Sequence, residues 1–121
     1  MSEPSKSFVE VCVYEVKPNR VEEFEGLIGR VSTHHRDFPG VKDVRYMKRT
    51  HRQRDFAAVK MGEPPIKLTR APKSVTYVLY WELESEIAHG QATKAGLEHF
   101  FKQFARCLVT TPRIILGERI Q

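Results

Sequence analysis

The chain lacks almost everything that names a chemistry at sight. Its 121 residues include two cysteines, one tryptophan and seven scattered glycines. Cys12 falls mid-strand and Cys107 on a helix flank, so the pair offers neither a disulfide framework nor metal-ligand spacing, and both read as buried small hydrophobes. There is no glycine-rich phosphate loop, no metal-binding motif and no serine in a nucleophile elbow, which makes kinase, metalloenzyme and hydrolase readings poor. Neither a metal nor a cofactor is expected. No apolar run approaches the roughly 20 residues needed to span a bilayer, and Met1 to Ser7 is polar, without the apolar core of a signal peptide. A soluble, cytoplasmic protein with no membrane partner is expected, and the length predicts one domain over 1–121.

What is present is a rhythm: two halves, each a strand, an amphipathic helix and a strand. From Phe8 to Val16, Val9, Val11 and Val13 alternate with Glu10, Cys12 and Tyr14, the period of a strand. Asn19 with Glu22 has the spacing of a helix N-cap and its acidic partner. Val21, Phe24, Leu27, Ile28, Val31, His35 and Phe38 then form a helical stripe that Pro39-Gly40 ends. Val41 to about Arg49 is a second strand, with Val44 and Tyr46 on one face. The second half opens at Val75 to Leu83, nearly all apolar in its middle and so predicted to be covered on both faces. Ser85 caps the next helix, where Leu97, Phe101, Phe104 and Leu108 make the inward stripe and Phe100 and Cys107 its flank. Thr110, Thr111 and Pro112 stop it, and Arg113 to Ile120 is the last strand.

Two such halves in one small domain predict an α+β, ferredoxin-like βαββαβ fold: an antiparallel four-stranded sheet with both helices on one face. The other sheet face would expose apolar surface unless covered. A second sheet packed against it, giving a homodimeric α/β barrel, is favoured over a monomer whose long connection folds across the face.

With Phe38-Pro39-Gly40-Val41, Tyr80-Trp81-Glu82 and Glu98-His99-Phe100 in these positions, the chain resembles the dimeric α/β-barrel superfamily, and within it the antibiotic-biosynthesis-monooxygenase-like proteins. The resemblance covers most of residues 8–120. It implies a small-molecule-binding homodimer, in some branches a cofactor-independent monooxygenase of aromatic or enolic substrates. The polyketide oxygenases pair the strand-three Trp with an Asn four residues before it, a Tyr six after it and an Arg on the second helix. Trp81 is kept here, with Tyr77, Ile87 and Phe101 at or near the other places. The haem-degrading branch carries a His where Phe104 stands, so haem degradation is not expected.

His35 falls on the apolar stripe near a helix C-terminus, where the dipole favours a protonated imidazole; it reads either as a hydrogen-bonded core histidine or as a catalytic base. Its helical phase turns His99 to solvent or a neighbouring chain. The proposed site takes His35 and Trp81 as catalytic, with Tyr14, Arg45, Tyr80, His89 and Phe104 as substrate-binding residues: aromatics to shape a cavity, His89 at its mouth, Arg45 to hold an anionic group. Glu10, a carboxylate in mid-strand, needs a cationic partner if buried, and Arg45 is the candidate.

The stretch Arg45 to Lys73 carries nine Lys or Arg against Asp55 and Glu63, a balance of +7 where the whole chain has +5. Connections longer than about 12–15 residues are usually functional or disordered, and Arg49 to Lys73 is a long basic insertion by that measure. Phe56 to Met61 within it suggests a short strand or turn. The segment fits a gate that draws in an anionic substrate or an arm that packs on the partner subunit. Nucleic acid ranks below both, for want of a recognisable binding motif. The expected ligand is thus a small molecule, anionic or aromatic. A ligand-binding, stress-linked dimer without turnover is the alternative to an enzyme.

Overall fold

A computed structural model describes residues 6–54 and 56–121; the first five residues of the polar start and Asp55 lie outside the described residues. The order is β1 (Phe8–Val16), a 3-10 turn (Pro18–Arg20), α1 (Val21–Arg36), β2 (Val41–Lys48), the short α2 (Phe56–Lys60), β3 (Val75–Leu83), α3 (Glu86–Cys107) and β4 (Arg113–Glu118). All pairings are antiparallel, in the spatial order β2-β3-β1-β4. The ferredoxin-like prediction therefore holds, with α1 and α3 packed together on one sheet face.

Registers fix which residues share that face. Cys12 pairs with Leu79, Tyr14 with Tyr77 and Glu10 with Trp81, so the even residues of β1 and the odd residues of β3 point under the helices. With Phe24, Leu27 and Val31 of α1 and Val44 of β2 they form the buried core. Each such large side chain contributes about 1.5–3 kcal/mol by leaving water. The opposite face carries Val9, Val11, Val13, Val78 and Tyr80, only half-buried, with Met47 and Ile115 exposed beside them. Coverage of β3 on both faces is thus not reached within one chain. Glu82 also belongs to this face and is buried there, because Arg119 and the Tyr80 hydroxyl donate to it.

Several local expectations are corrected. Asn19 does not cap α1: it sits inside the 3-10 turn, and Arg20 takes the N-cap position without a side-chain bond. Ser85 does cap α3, its Oγ accepting from the Ala88 N–H at 3.1 Å. Phe56 to Lys60 is helical, not extended. It forms the tip of an arm in which backbone bonds between Thr50 and Leu68 and between Arg52 and Ile66 tie the two sides together.

The larger correction concerns α3. Leu97 is 50% and Phe101 61% exposed, while the buried positions are Ala88, Ala92, Gly96 and Cys107. The first three recur every four residues, so along this part of α3 a ridge of small side chains, rather than Leu97 and Phe101, faces α1 and the sheet, while Phe104 and Leu108 pack against the core as the stripe predicts. Small atoms there let the helices approach closely.

The turn at Pro39-Gly40 locks this arrangement. Gly40 has φ +88°, its carbonyl accepts from the Glu84 N–H at 2.8 Å, and a Cβ there would lie 2.8 Å from the Ala88 Cβ. Gly62 has a similar φ of +96° but open space around it. Gly40→Ala should therefore cost about 2–4 kcal/mol, backbone strain plus overlap, and Gly62→Ala about 1–2. Urea unfolding of the two variants checks the difference, and equal losses would deny the contact with α3 its role.

Candidate functional site

A cavity of about 480 Å³ lies between the sheet and the two helices, within the range of small-molecule sites. Its floor is Cys12, Tyr14, Tyr46, Leu79 and Trp81; α1 contributes Val31 and His35; α3 contributes Thr93, Gly96, Phe100 and Phe104, with Leu97 and Phe101 among its lining residues. The half-exposed large residues of α3 thus border a hollow instead of filling a core. Ile114, on the helix side of β4, also lines it.

His35 lies flat on Trp81, ring centroids 4.1 Å apart and planes within 11°. Its Nε2 is only 3.0 Å from where a Cβ on Gly96 would stand, so glycine is what admits the imidazole beneath α3. Burial, assisted by His34 and His89, pushes the pKa of His35 down to about 4. The dipole argument for a protonated imidazole is overturned: desolvation exceeds the attraction of a helix terminus. His35 is a neutral acceptor at pH 7, and its Nδ1 has no hydrogen-bond partner.

Glu10 is 7% exposed, in the cavity wall. Its partner is not Arg45. His89, in the first turn of α3, lies with Nε2 2.7 Å from Glu10 Oε1, and because an ionised carboxylate only accepts, Nε2 is the donor. The His89 ring also packs on Phe8 and Trp81, at 5.0 and 5.2 Å. Arg45 pairs with Tyr80 across the other sheet face, where its Nε donates to Asp43 at 2.9 Å. Arg45 and Tyr80 thus stand apart from the cavity, while His35, Trp81, Tyr14 and Phe104 line it together and His89 reaches it through Glu10.

Tyr14 stacks on Phe104, centroids 5.6 Å apart. Burial raises the Tyr14 and Tyr46 phenols well above their ordinary pKa and the Cys12 thiol to about 11, so all three are neutral. Tyr46, Thr93 and Gly96 escaped sequence reasoning as site residues. The four-residue spacing of Ala88, Ala92 and Gly96 was the available signal for the last. The places where the polyketide oxygenases carry polar groups supply none to the cavity: the Tyr77 hydroxyl donates to Glu25, Ile87 is exposed, and Phe101 brings only carbon. Among the described residues no group of three or more His, Cys, Asp or Glu is arranged to hold a metal, and no helix is long and apolar enough to cross a membrane.

Comparison with known proteins is informative at the level of structure alone. No family model matches the sequence, and no curated protein matches it. Among solved structures, a candidate antibiotic biosynthesis monooxygenase from Nitrosomonas europaea superposes with a TM-score of 0.71 at 11% identity, covering 99% of this chain and 96% of that one. SnoaB, a cofactor-independent oxygenase from Streptomyces nogalater, superposes at 0.63 with 18% identity, covering 96% and 95%. A conserved protein from Methanosarcina mazei gives 0.66 at 17%, with the same coverage. The fold is thus the one seen in antibiotic-biosynthesis-monooxygenase-like structures, as the sequence resemblance implied.

The depressed pKa of His35 has a sign that can be measured. Unfolded, the group takes its proton near 6.5; folded, near about 4. Between those values the unfolded chain binds more protons, so the stability due to neutral burial is complete above pH 6.5 and falls as pH drops towards 4. From pH 7 to pH 4.5 the wild type should lose about 2 kcal/mol more than His35→Gln. Urea titrations at both pH values test this, and parallel losses would mean that His35 titrates normally.

Proposed function

We propose that the chain is a homodimeric small-molecule-binding protein that acts as a cofactor-independent monooxygenase on an aromatic or enolic substrate held in the cavity between sheet and helices. One observation carries the reading. The buried polar atoms His35 Nδ1, Trp81 Nε1 and Thr93 Oγ1 lack hydrogen-bond partners, and all three belong to residues lining this cavity. An unpaired buried polar group costs about 1–3 kcal/mol, so a flat molecule carrying hydroxyl and carbonyl groups would satisfy what the fold leaves open.

In this reading His35 accepts the proton and Trp81, Tyr14 and Phe104 hold the ring. Burial holds His35 neutral and so free to accept a proton, and conjugated phenols and enols give theirs up more readily than ordinary alcohols. The resulting carbanion passes one electron to dioxygen, and the substrate radical and superoxide join as a hydroperoxide. Loss of water leaves a carbonyl. One oxygen atom stays on carbon, and the other leaves as water with the proton that His35 took and returned to the peroxide and the hydrogen that remained on that carbon. The alternative, binding without turnover, draws support from the missing polar groups at Tyr77, Ile87 and Phe101.

Oxygen consumption with an anthrone or a quinol separates the two. Wild type should take up oxygen, and a folded His35→Gln variant should be slower by about 100-fold or more. Unchanged turnover in the variant would remove His35 from the mechanism, and tight binding without oxygen uptake by the wild type would favour the binding protein.

Dimerisation is proposed through the outer face, where Val9, Val11, Val13, Val78, Met47 and Ile115 form a contiguous apolar surface. Light scattering after size exclusion should give twice the chain mass for the wild type and the chain mass for Val11→Lys. A wild-type monomer would overturn the barrel.

A further inference from the structure

The cavity and the surface of α3 are joined by one polar contact that the proposed mechanism leaves unused. Glu10 lines the cavity, His89 lines a shallow groove along the outside of α3, and Thr93, Leu97 and Phe101 border both. The 2.7 Å bond from His89 Nε2 to Glu10 Oε1 crosses between them. The Glu10 and His89 side chains are 9% and 13% exposed. A carboxylate buried to this degree needs such a donor; this one bonds to Oε1, and Glu10 keeps further acceptor capacity at a cavity it lines. Among the described residues that line the cavity there is no Lys or Arg, and Glu10 is the charged member of the set.

We infer that Glu10, held in place by His89, is the specificity-determining acceptor of this cavity, selecting uncharged ring compounds that donate a hydroxyl hydrogen bond and disfavouring ring carboxylates and other anions. A ligand hydroxyl bonding to a carboxylate makes a charge-assisted bond, about twice as strong as a neutral one. An anion entering the same space gives up its hydration to face Glu10 and the unionised phenols of Tyr14 and Tyr46, with no Lys or Arg to replace the lost water. The basic arm from Arg49 to Lys73 does not alter this, since none of its described residues lines the cavity. His89 acts through Glu10 and is a positioning residue.

The inference rests on the proposed ligand cavity and can fail separately from it. Trp81 is the only tryptophan and lines the cavity, so quenching of its fluorescence reads occupancy directly. Three probes of similar shape suffice: 2-naphthol, 2-naphthoate and 2-methylnaphthalene. The wild type should bind naphthol at least 10-fold more tightly than naphthoate. Glu10→Gln, nearly isosteric, should lower the naphthol-to-naphthoate preference by 10-fold or more while leaving methylnaphthalene within 2-fold. His89→Phe should lose naphthol selectivity in the same way, and His89→Gln, which restores a donor, should recover most of it. Equal affinity of the wild type for naphthol and naphthoate, or an unchanged preference in Glu10→Gln, would overturn the role of Glu10 with the cavity intact. Selectivity retained in His89→Phe would overturn the positioning role. Quenching by none of the three probes in the wild type would instead refute the ligand cavity itself.

Discussion

The architecture of the site depends on how closely α3 can approach His35. Gly96 brings the helix to within a methyl group of the imidazole, and Ala88 and Ala92 extend the same small-residue ridge towards Gly40 at the other end of the fold. This contact presses His35 flat against Trp81 and strips it of water, which is why its pKa falls. It also rolls the large residues of α3 outwards. A helix that packed on Leu97 and Phe101 would sit further from the sheet and fill the space below it. Packed on alanine and glycine, it arches over a hollow whose rim those two residues supply.

That hollow is chemically unusual for its size. Its surface is aromatic and aliphatic, yet three polar atoms stand unpaired on residues that line it, and one carboxylate is anchored from outside by an imidazole. Protein interiors rarely leave so many groups unsatisfied within one small volume. The remaining titratable groups there are neutral for a common reason, burial, which raises Tyr14, Tyr46 and Cys12 and lowers His35. The carboxylate of the set is Glu10, held by His89 from outside. The positive charge so conspicuous in the sequence lies elsewhere, on the arm between β2 and β3 and on the opposite sheet face.

Element type and order were legible because they rest on local periodicity: the alternation in β1, the Phe24–Leu27–Val31 stripe and the Pro39-Gly40 stop all reappear in place. Pairing of Glu10 was not legible, because Glu10 and Arg45 sit on opposite faces of the sheet. Neither strand's own pattern says how its two faces are oriented relative to the other's. The α3 stripe misled for a related reason. Hydrophobicity marks which residues avoid water, whereas close approach selects small ones, and on this helix the two criteria choose different faces. His35 was found by its position in an apolar stripe, but its protonation state required knowing how much of the ring the fold covers.

The sheet order also bears on how the chain comes to be folded. β1 is a central strand, yet its two neighbours are β3, beginning at Val75, and β4, beginning at Arg113. A ribosome adding about 5–20 residues per second therefore exposes Phe8–Val16 for some seconds before a partner strand exists. During that interval a β-branched, largely uncharged ribbon has both edges open, the condition under which nascent chains pair with one another. Glu10 and Glu15 are the two acidic residues within that ribbon, and charges of this kind on an unpaired strand oppose its pairing with another chain.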